Sequence, residues 1–514
     1  MAPITLDHPF LRKHQDQISG VLSCFDRVIL LGHLPLSYPA GLEGFLYRQK
    51  VLLKDFARYA TSIAERVRDH VKALAQQAGA PYRNLPRKEP MEEQARRLAK
   101  AKDIRAGIVC AYSQLETCRS FRFEYSKGRP RLRKAYRRCS VLYVFVMHQV
   151  LGLIHVKIQT WFPLTMQVYV NGHDFLARKL DEQGVKYALH DNAFLRIDDL
   201  EAAQGLADRF VKLNWTRLLG ELARQFNPLV GREIRERDYY WVMNQVEYAT
   251  DVIFKEAAAL AEFYPRLVEH ARACLGAEDV LKFLGRKLDP NLKAEVQTHV
   301  SRRAEGVRVV HRMKANKLKM YDKAQLVLRI ETTINDPYEF RVRRKKEGQP
   351  GLHWQPLLKG VAWLWRYAEV ARSANGRYLE ALAVVDDERA SRRLLDEVTR
   401  PAKLHGRTKR ALQPISPADQ RLFLAVMSGD HRLRGFRNAD LAARLYATAT
   451  KDVAERRRRS ARVTRLIQLL RAHGLVAKIP RARRYRVTAK GDLFMSAAIY
   501  VRHKHLPNEM HKAA

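Results

Sequence analysis

Cysteine is scarce in this chain and follows no pattern. The five thiols, Cys24, Cys110, Cys118, Cys139 and Cys274, are odd in number, far apart, and never form a CxxC pair. That excludes a disulfide framework and a zinc ribbon, and it points to a reducing cytoplasm. Long apolar runs are missing too. The longest, from Val141 to Ile154, is interrupted by His148, Gln149 and Gly152 and is too short and polar to span a bilayer. The opening MAPITLDHPFLRK has no apolar signal core. Neither end carries a lipidation motif or a concentrated amphipathic basic helix, which argues against a membrane surface as partner. Acidic residues are the third shortage: 54 Asp and Glu face 94 Lys and Arg, a formal charge of +40 and a pI of about 10.2. Such surplus charge repels itself in a folded chain, and a polyanion that neutralises it releases condensed counterions on binding. Nucleic acid is the expected partner, with DNA ahead of RNA.

What is present is enough apolar material, 46% of 514 residues, for several cores. The expected class is α+β and multidomain, with antiparallel β units, helices and a C-terminal helical module. SCFDRVILLG (23–32) reads as a buried strand carrying Asp26, and GIVCAYSQLE (107–116) as another, ending in Glu116. A basic loop, KGRPRLRKAYRR (127–138), is expected next. Three strand-like runs follow, from Val141, Leu153 and Leu164. Period-two alternation in the second puts His155, Lys157, Gln159 and Trp161 on one face, so one face of this sheet is expected to be wet.

A second α+β unit is expected from Arg237. It opens with YYWVMNQVEYATD (239–251), continues through helices, and closes in a meander of three strands, GVRVVHRM, NKLKMYDK and QLVLRIETTIN, between 306 and 335. The expected domains are 1–236, 237–345, a helical connector 346–400, a linker 401–416 and a terminal module 417–514.

The terminal module has the clearest pattern. Ser416-Pro417 is a helix start, DLAARLYA is a short second helix, and a longer one runs from about Asp452 to His473 before two short strands flanking a basic turn. Helix, helix, longer helix and two-stranded wing is the order of a winged helix-turn-helix. LLRAHGLV…RRYRVTAKG resembles the closing segment of MarR-type regulators, which implies DNA binding. Arg456, Arg457, Arg458 and Arg459 occupy one turn of the long helix, and Arg462 and Arg465 extend it. Lys478, Arg481, Arg483 and Arg484 mark the wing. In that fold these cations would reach phosphates and guanine edges.

The meander supplies a candidate catalytic set. Lys317, Lys319, Tyr321 and Lys323 share one face of their strand, and Arg329, Glu331 and Thr333 share one face of the next. Strand pairing would join Tyr321, Lys323, Arg329 and Glu331, with Glu247 and Asp251, one turn apart if helical, as further carboxylates. A tyrosine nucleophile, cations for a pentacoordinate phosphorane and carboxylates for Mg²⁺ need these groups. Glu331 and Glu247 are the candidate metal ligands. YDK…LRIE resembles the Tyr-x-Lys and Arg-x-Glu strands of some plasmid and phage rolling-circle replication initiators, which implies a mobile-element or replication nuclease. The paired-histidine metal motif of the better-known initiators and relaxases is absent. FDR, QTWFP, EYATD, FLGRK and YDK…LRIETTIN together resemble a set of uncharacterised bacterial proteins, which implies a bacterial source and one joint architecture but no activity.

Each feature also has a plainer reading. Buried carboxylates in so basic a chain pair with arginine, a tyrosine packs, and an arginine run is a solvated face. Trp161, Tyr239, Tyr240 and Trp241 could stack unpaired bases or simply fill the core. Three functions stand from the sequence: a DNA-binding protein with metal-dependent strand cleavage, a winged-helix transcriptional regulator, and an RNA-binding protein partnered with a structured RNA.

Overall fold

A computed structural model describes the chain except residues 1–3, 6, 86–88, 127, 287–295, 304–305, 386–394, 429–430, 432–434, 447, 449, 451, 481 and 506–514. In chain order its strands begin with β1 (Ile18–His33), β2 (Tyr82–Asn84), β3 (Gly107–Ser126), β4 (Arg129–His148), β5 (Gly152–Gln159) and β6 (Met166–Asn171). There follow β7 (Tyr187–His190), β8 (Ala193–Ile197), β9 (Tyr240–Phe254), β10 (Val296–Arg303), β11 (Gly306–Met313), β12 (Asn316–Lys323) and β13 (Val327–Ile334). Three further hairpins pair β14 (Arg341–Lys346) with β15 (Gln349–Pro356), β16 (Ala402–Leu404) with β17 (Arg407–Lys409), and β18 (Val476–Lys478) with β19 (Tyr485–Val487). The fold class is α+β. No described helix is long and apolar enough to cross a membrane.

The chain divides into two units. The first comprises Met1–Asp7, His14–Leu260 and Ala315–Gly376, and the second His8–Lys13, Ala261–Lys314 and Arg377–Ala514. In the first, β12, β13, β9, β1, β6, β5, β4, β3 and β2 are successive neighbours in a sheet, antiparallel throughout except β2 beside β3. Strands from both sides of position 236 therefore join in one sheet, meeting where β9 pairs with β1, and the boundary expected there falls inside it.

The central strands are long and apolar enough to be covered on both faces. One face of β1 packs Leu22 and Cys24 against Leu176, Leu180, Leu206 and Phe194, on or near the helices Gly172–Glu182 and Leu200–Arg209. On the opposite sheet face, β9 and β13 meet the helix Leu364–Leu382. Its Asn375 donates to Thr250 Oγ1 at 3.1 Å and accepts from Thr332 Oγ1 at 2.6 Å, while Arg372 donates to the Tyr248 hydroxyl.

Three expected segments differ. KGRPRLRKAYRR is mostly strand β4 rather than loop. Its alternation was invisible because charged residues occupy both faces. VEYATDVIF is strand, so Glu247 and Asp251 share a strand face and not a helical turn. Hairpins occupy the start of the expected connector and the expected linker at 401–416.

In the second unit the helices Pro417–Val426, Asn438–Leu445 and Val453–Ala472 precede the hairpin of β18 and β19, and Ala489–Tyr500 closes the set. Ser416 caps the first helix through a bond from Asp419 N. Phe423, Leu441, Val463, Ile467, Leu470, Leu475 and Phe494 form the core. Tyr485 exchanges both backbone bonds with Phe436, at 2.8 Å each, fixing the hairpin to the segment ahead of the second helix.

Leu30, fully buried on central β1, gives a direct check on the sheet. Leu30→Ala should cost about 2 to 5 kcal/mol, read as a lower urea midpoint with an unchanged slope.

Candidate functional site

Strand register alone assembles most of the site. β12 and β13 pair Lys319 with Glu331 and Tyr321 with Arg329, while β13 and β9 pair Arg329 with Asp251 and Thr333 with Glu247. β9 pairs in turn with β1, where the register shifts between Phe25 and Arg27. Asp26 is the extra residue of that β-bulge. A bulge re-aims side chains, and here Asp26 and Arg27 both reach the cluster: Asp26 accepts from Asn192, and Arg27 lies 3.7 Å from Glu247.

The last partner comes from the end of β6. Asn171 caps the following helix by accepting from His173 N at 2.8 Å, and Gly172 lets the turn press against β1, since a Cβ there would lie 2.1 Å from the Phe25 carbonyl oxygen. That approach sets His173 between the two aspartates, with Nδ1 3.2 Å from Asp26 and Nε2 3.8 Å from Asp251.

Arg329 is the hub. It is completely buried. Its Nε and Nη2 donate to the two oxygens of Asp251 at 2.6 Å each, and Nη2 also donates to the Asn192 carbonyl at 2.7 Å. Nη1 stands 3.7 Å from Asp26. Arg329 Nη2 also lies 3.0 Å from His173 Nε2. Burial and Arg329 pull the imidazole pKa down, but Cys24, Asp251 and Asp26 outweigh them and raise it well above its ordinary value.

Burial pushes both aspartates up, but the opposing interactions win. His173 and Arg329 hold Asp26 well below the usual carboxylate range, and Arg329 with His173 holds Asp251 below it.

Beside this pair lies a second layer. Lys319 Nζ donates to Glu331 Oε1 at 2.5 Å and to Glu247 Oε1 at 2.9 Å, and the Tyr321 hydroxyl donates to Glu331 Oε2 at 2.5 Å. Gln245 and Thr333 also donate to Glu247. Burial raises Glu331 above the usual range against the pull of Lys319, with Asp26 and Glu247 adding to the rise. Burial and then Glu331 push the Tyr321 phenol well above its ordinary value.

Four carboxyl groups, Asp26, Asp251, Glu247 and Glu331, face Arg27, Lys319, Arg329 and His173. Oxygens of Asp26, Glu247 and Glu331 all lie within 4.8 Å of one another, and three hard oxygen donors suit Mg²⁺. Lys319 already bridges two of the three acids, so a divalent ion would displace it from at least one. Arg27, 42% exposed at its side chain, marks the open side of an otherwise buried cluster.

Of the residues expected from the sequence, Glu331, Tyr321, Arg329, Glu247 and Asp251 meet here. Lys323 stands apart, its amine 6.0 Å from the centre of the Tyr321 ring. Glu116 lies elsewhere on the sheet, bound to Lys157 at 2.8 Å and to Tyr143. Trp161, Tyr239 and Trp241 are buried and cannot stack bases, which leaves Tyr240 exposed among the four aromatics. His155 stacks on Tyr169 at 4.7 Å, and burial, then Lys157 and Arg27, lower its pKa to about 4, which keeps it neutral. Local pattern did not reveal His173, Asn192 or the role of Lys319. Only Lys319 carried a signal, its shared strand face with Tyr321.

On the helix Val453–Ala472, Arg456, Arg457, Arg458, Arg462 and Arg465 are exposed. Arg458 and Arg459 pair with Glu455 at 3.4 and 2.9 Å, and half-buried Arg459 also stacks on Tyr446. Lys478 and Arg483 are exposed and Arg484 is half-buried. Arg481 lies outside the described residues.

No protein-family model, curated protein or solved structure matches this chain.

Asp26 and Asp251 stabilise the fold fully above their ordinary value of 3.8, and that stability disappears as pH falls through their depressed folded values. Asp251→Asn strands a buried guanidinium and should cost about 3 to 5 kcal/mol near neutrality. Urea unfolding across pH should show this gap narrowing below pH 3.8, where the unfolded chain's Asp251 takes up a proton, and closing once the folded chain's depressed value is passed.

Proposed function

We propose that the protein binds DNA and cleaves a strand at the Asp26, Glu247, Glu331 and Tyr321 cluster in a metal-dependent reaction. The observation that carries this reading is the meeting of three carboxylates within 4.8 Å beside a tyrosine hydroxyl held on one of them. A nucleophile within hydrogen-bond reach of a base, itself oriented by a third group, is the general signature of an activated hydroxyl. Here Tyr321 is the nucleophile, Glu331 Oε2 the base and Lys319 the orienting group.

Asp26, Glu247 and Glu331 would hold Mg²⁺, which supplies Lewis-acid polarisation of a phosphoryl oxygen. Tyr321 Oη attacks phosphorus and its proton passes to Glu331. The sugar oxygen leaves, taking a proton from solvent, and a phosphotyrosyl bond remains. The elevated pKa of Glu331 suits a base that must accept a phenolic proton. Arg27, on the open side, would meet the incoming phosphate.

DNA as the partner is supported by the net charge of +40 and by the arginine face of Val453–Ala472. The order of elements in the C-terminal module supports a winged helix-turn-helix of MarR-like type, in which that helix enters the major groove.

A second reading, a transcriptional regulator, draws on Lys319. A lysine that already bridges Glu247 and Glu331 makes the cluster self-sufficient as a structural device.

The two readings separate in one assay. Incubation with single- and double-stranded DNA in Mg²⁺ should give scission, and Glu331→Gln should slow it about a hundredfold or more. A denaturation-resistant DNA adduct should form and vanish in Tyr321→Phe. Sequence-selective duplex binding with no scission in any divalent metal would leave the regulator.

A further inference from the structure

We infer that the hairpin of β3 and β4 is a second DNA-docking element, a stiff basic ribbon that lays one face along a B-form duplex. The inference rests on the reading that this chain binds nucleic acid, but not on cleavage.

The two strands outrun the sheet. β2 last pairs with β3 at Ser113, and β5 pairs with β4 only from Val141 onward. Beyond those points the ladder continues between β3 and β4 alone to Ser126 and Arg129, a ribbon roughly 40 Å long at about 3.3 Å per residue. Residues 117–138 contain nine Lys and Arg and a single carboxylate, Glu124. Three guanidinia share that carboxylate: Arg131 at 3.1 Å, Arg122 at 3.5 Å and Arg133 at 3.8 Å, all more than half exposed. A merely solvated strand face would intersperse carboxylates. This one concentrates repulsion that a polyanion relieves.

The ribbon is also oriented. Its back is pinned, with Phe121 and Leu132 buried and Leu132 N donating to Glu43 at 2.9 Å, on the helix Pro39–Arg48. Alternation puts Arg122, Arg131, Arg133 and Arg137 on the opposite face, together with Glu116. Glu116 binds Lys157, whose strand neighbours on β6 and β1 lead to Tyr169, Arg27 and the carboxylate cluster. The basic ribbon and the candidate site therefore occupy one continuous sheet face. Arg137 is held by stacking on Trp161 at 4.0 Å, so the face is partly pre-ordered.

A two-stranded ribbon fits a B-form major groove, about 12 Å wide, whereas the deep, narrow groove of duplex RNA excludes it. That geometry selects DNA.

The test uses full-length protein, a random-sequence DNA duplex and an RNA duplex of the same sequence, with affinity measured across salt concentrations. The triple variant R122Q/R131Q/R133Q should bind DNA at least tenfold more weakly and lower the slope of log K against log salt by about 2 to 3, near 0.9 for each phosphate that is no longer neutralised. Phenylglyoxal footprinting of the wild-type chain should find these three arginines protected by DNA, and it decides the matter should the variant fail to fold. Wild-type affinity and slope in the variant, unprotected arginines, or tighter binding of the RNA duplex would overturn the ribbon assignment. A wild-type chain that binds neither duplex would instead remove the nucleic-acid reading on which it rests.

Discussion

The bidentate pair of Arg329 and Asp251, two fully buried charges on neighbouring central strands, is the constraint around which the first unit is organised. A guanidinium with no exposure is costly unless its donors are met, and the fold meets those on Nε and Nη2 while Nη1 has only the charge of Asp26 at 3.7 Å. The turn between β7 and β8 brings the Asn192 carbonyl, the helix after β6 brings His173, and the bulge in β1 brings Asp26. Each of these elements would have more freedom if residue 329 were leucine. Their positions follow from charge satisfaction as much as from hydrophobic packing.

Around that pair the electrostatics divide into two layers with opposite tendencies. Asp26 and Asp251, next to Arg329 and His173, are held ionised. Burial raises Glu331, a strand away and sharing Lys319 with Glu247, above the usual carboxylate range. Carboxyl groups pushed apart in pKa within one cluster are a recurrent feature of acid and base chemistry at catalytic sites. The same separation is the reason Glu331 and Tyr321, rather than the better-neutralised aspartates, carry the proposed reaction. The ribbon of β3 and β4 adds a cationic surface on the same sheet face as the acidic cluster, with β5 and β6 between them.

Much of this was legible in the residues and some was not. Alternation in NKLKMYDK and QLVLRIETTIN was enough to group Tyr321, Arg329 and Glu331, because period two is a property of the strand alone. Glu247 and Asp251 were recognised as candidates, but their segment admitted a helix, and only pairing with β1 and β13 makes it a strand. Lys323 shares the parity of its neighbours yet sits at the hairpin end, away from the carboxylates. His173 and Asn192 lie in short connections, where no periodicity tells which way a side chain is aimed. The basic stretch at 127–138 lacked the apolar alternation by which a strand declares itself, so its pairing with β3 was hidden. Tyr239, Trp241 and Trp161 carried no local sign of whether they were core or surface.

Composition and local pattern by themselves determined the α+β class, the cationic surplus, the absence of a membrane-spanning helix among the described residues, and the shared faces within single strands. These depend on charge count and on backbone repeat, both local quantities. The tertiary structure alone decided which strands became neighbours, that a bulge turns Asp26 and Arg27 toward one cluster, and which carboxyl group bears the raised pKa. Such outcomes depend on strand register and on how completely water is excluded, and neither is encoded by any short segment on its own.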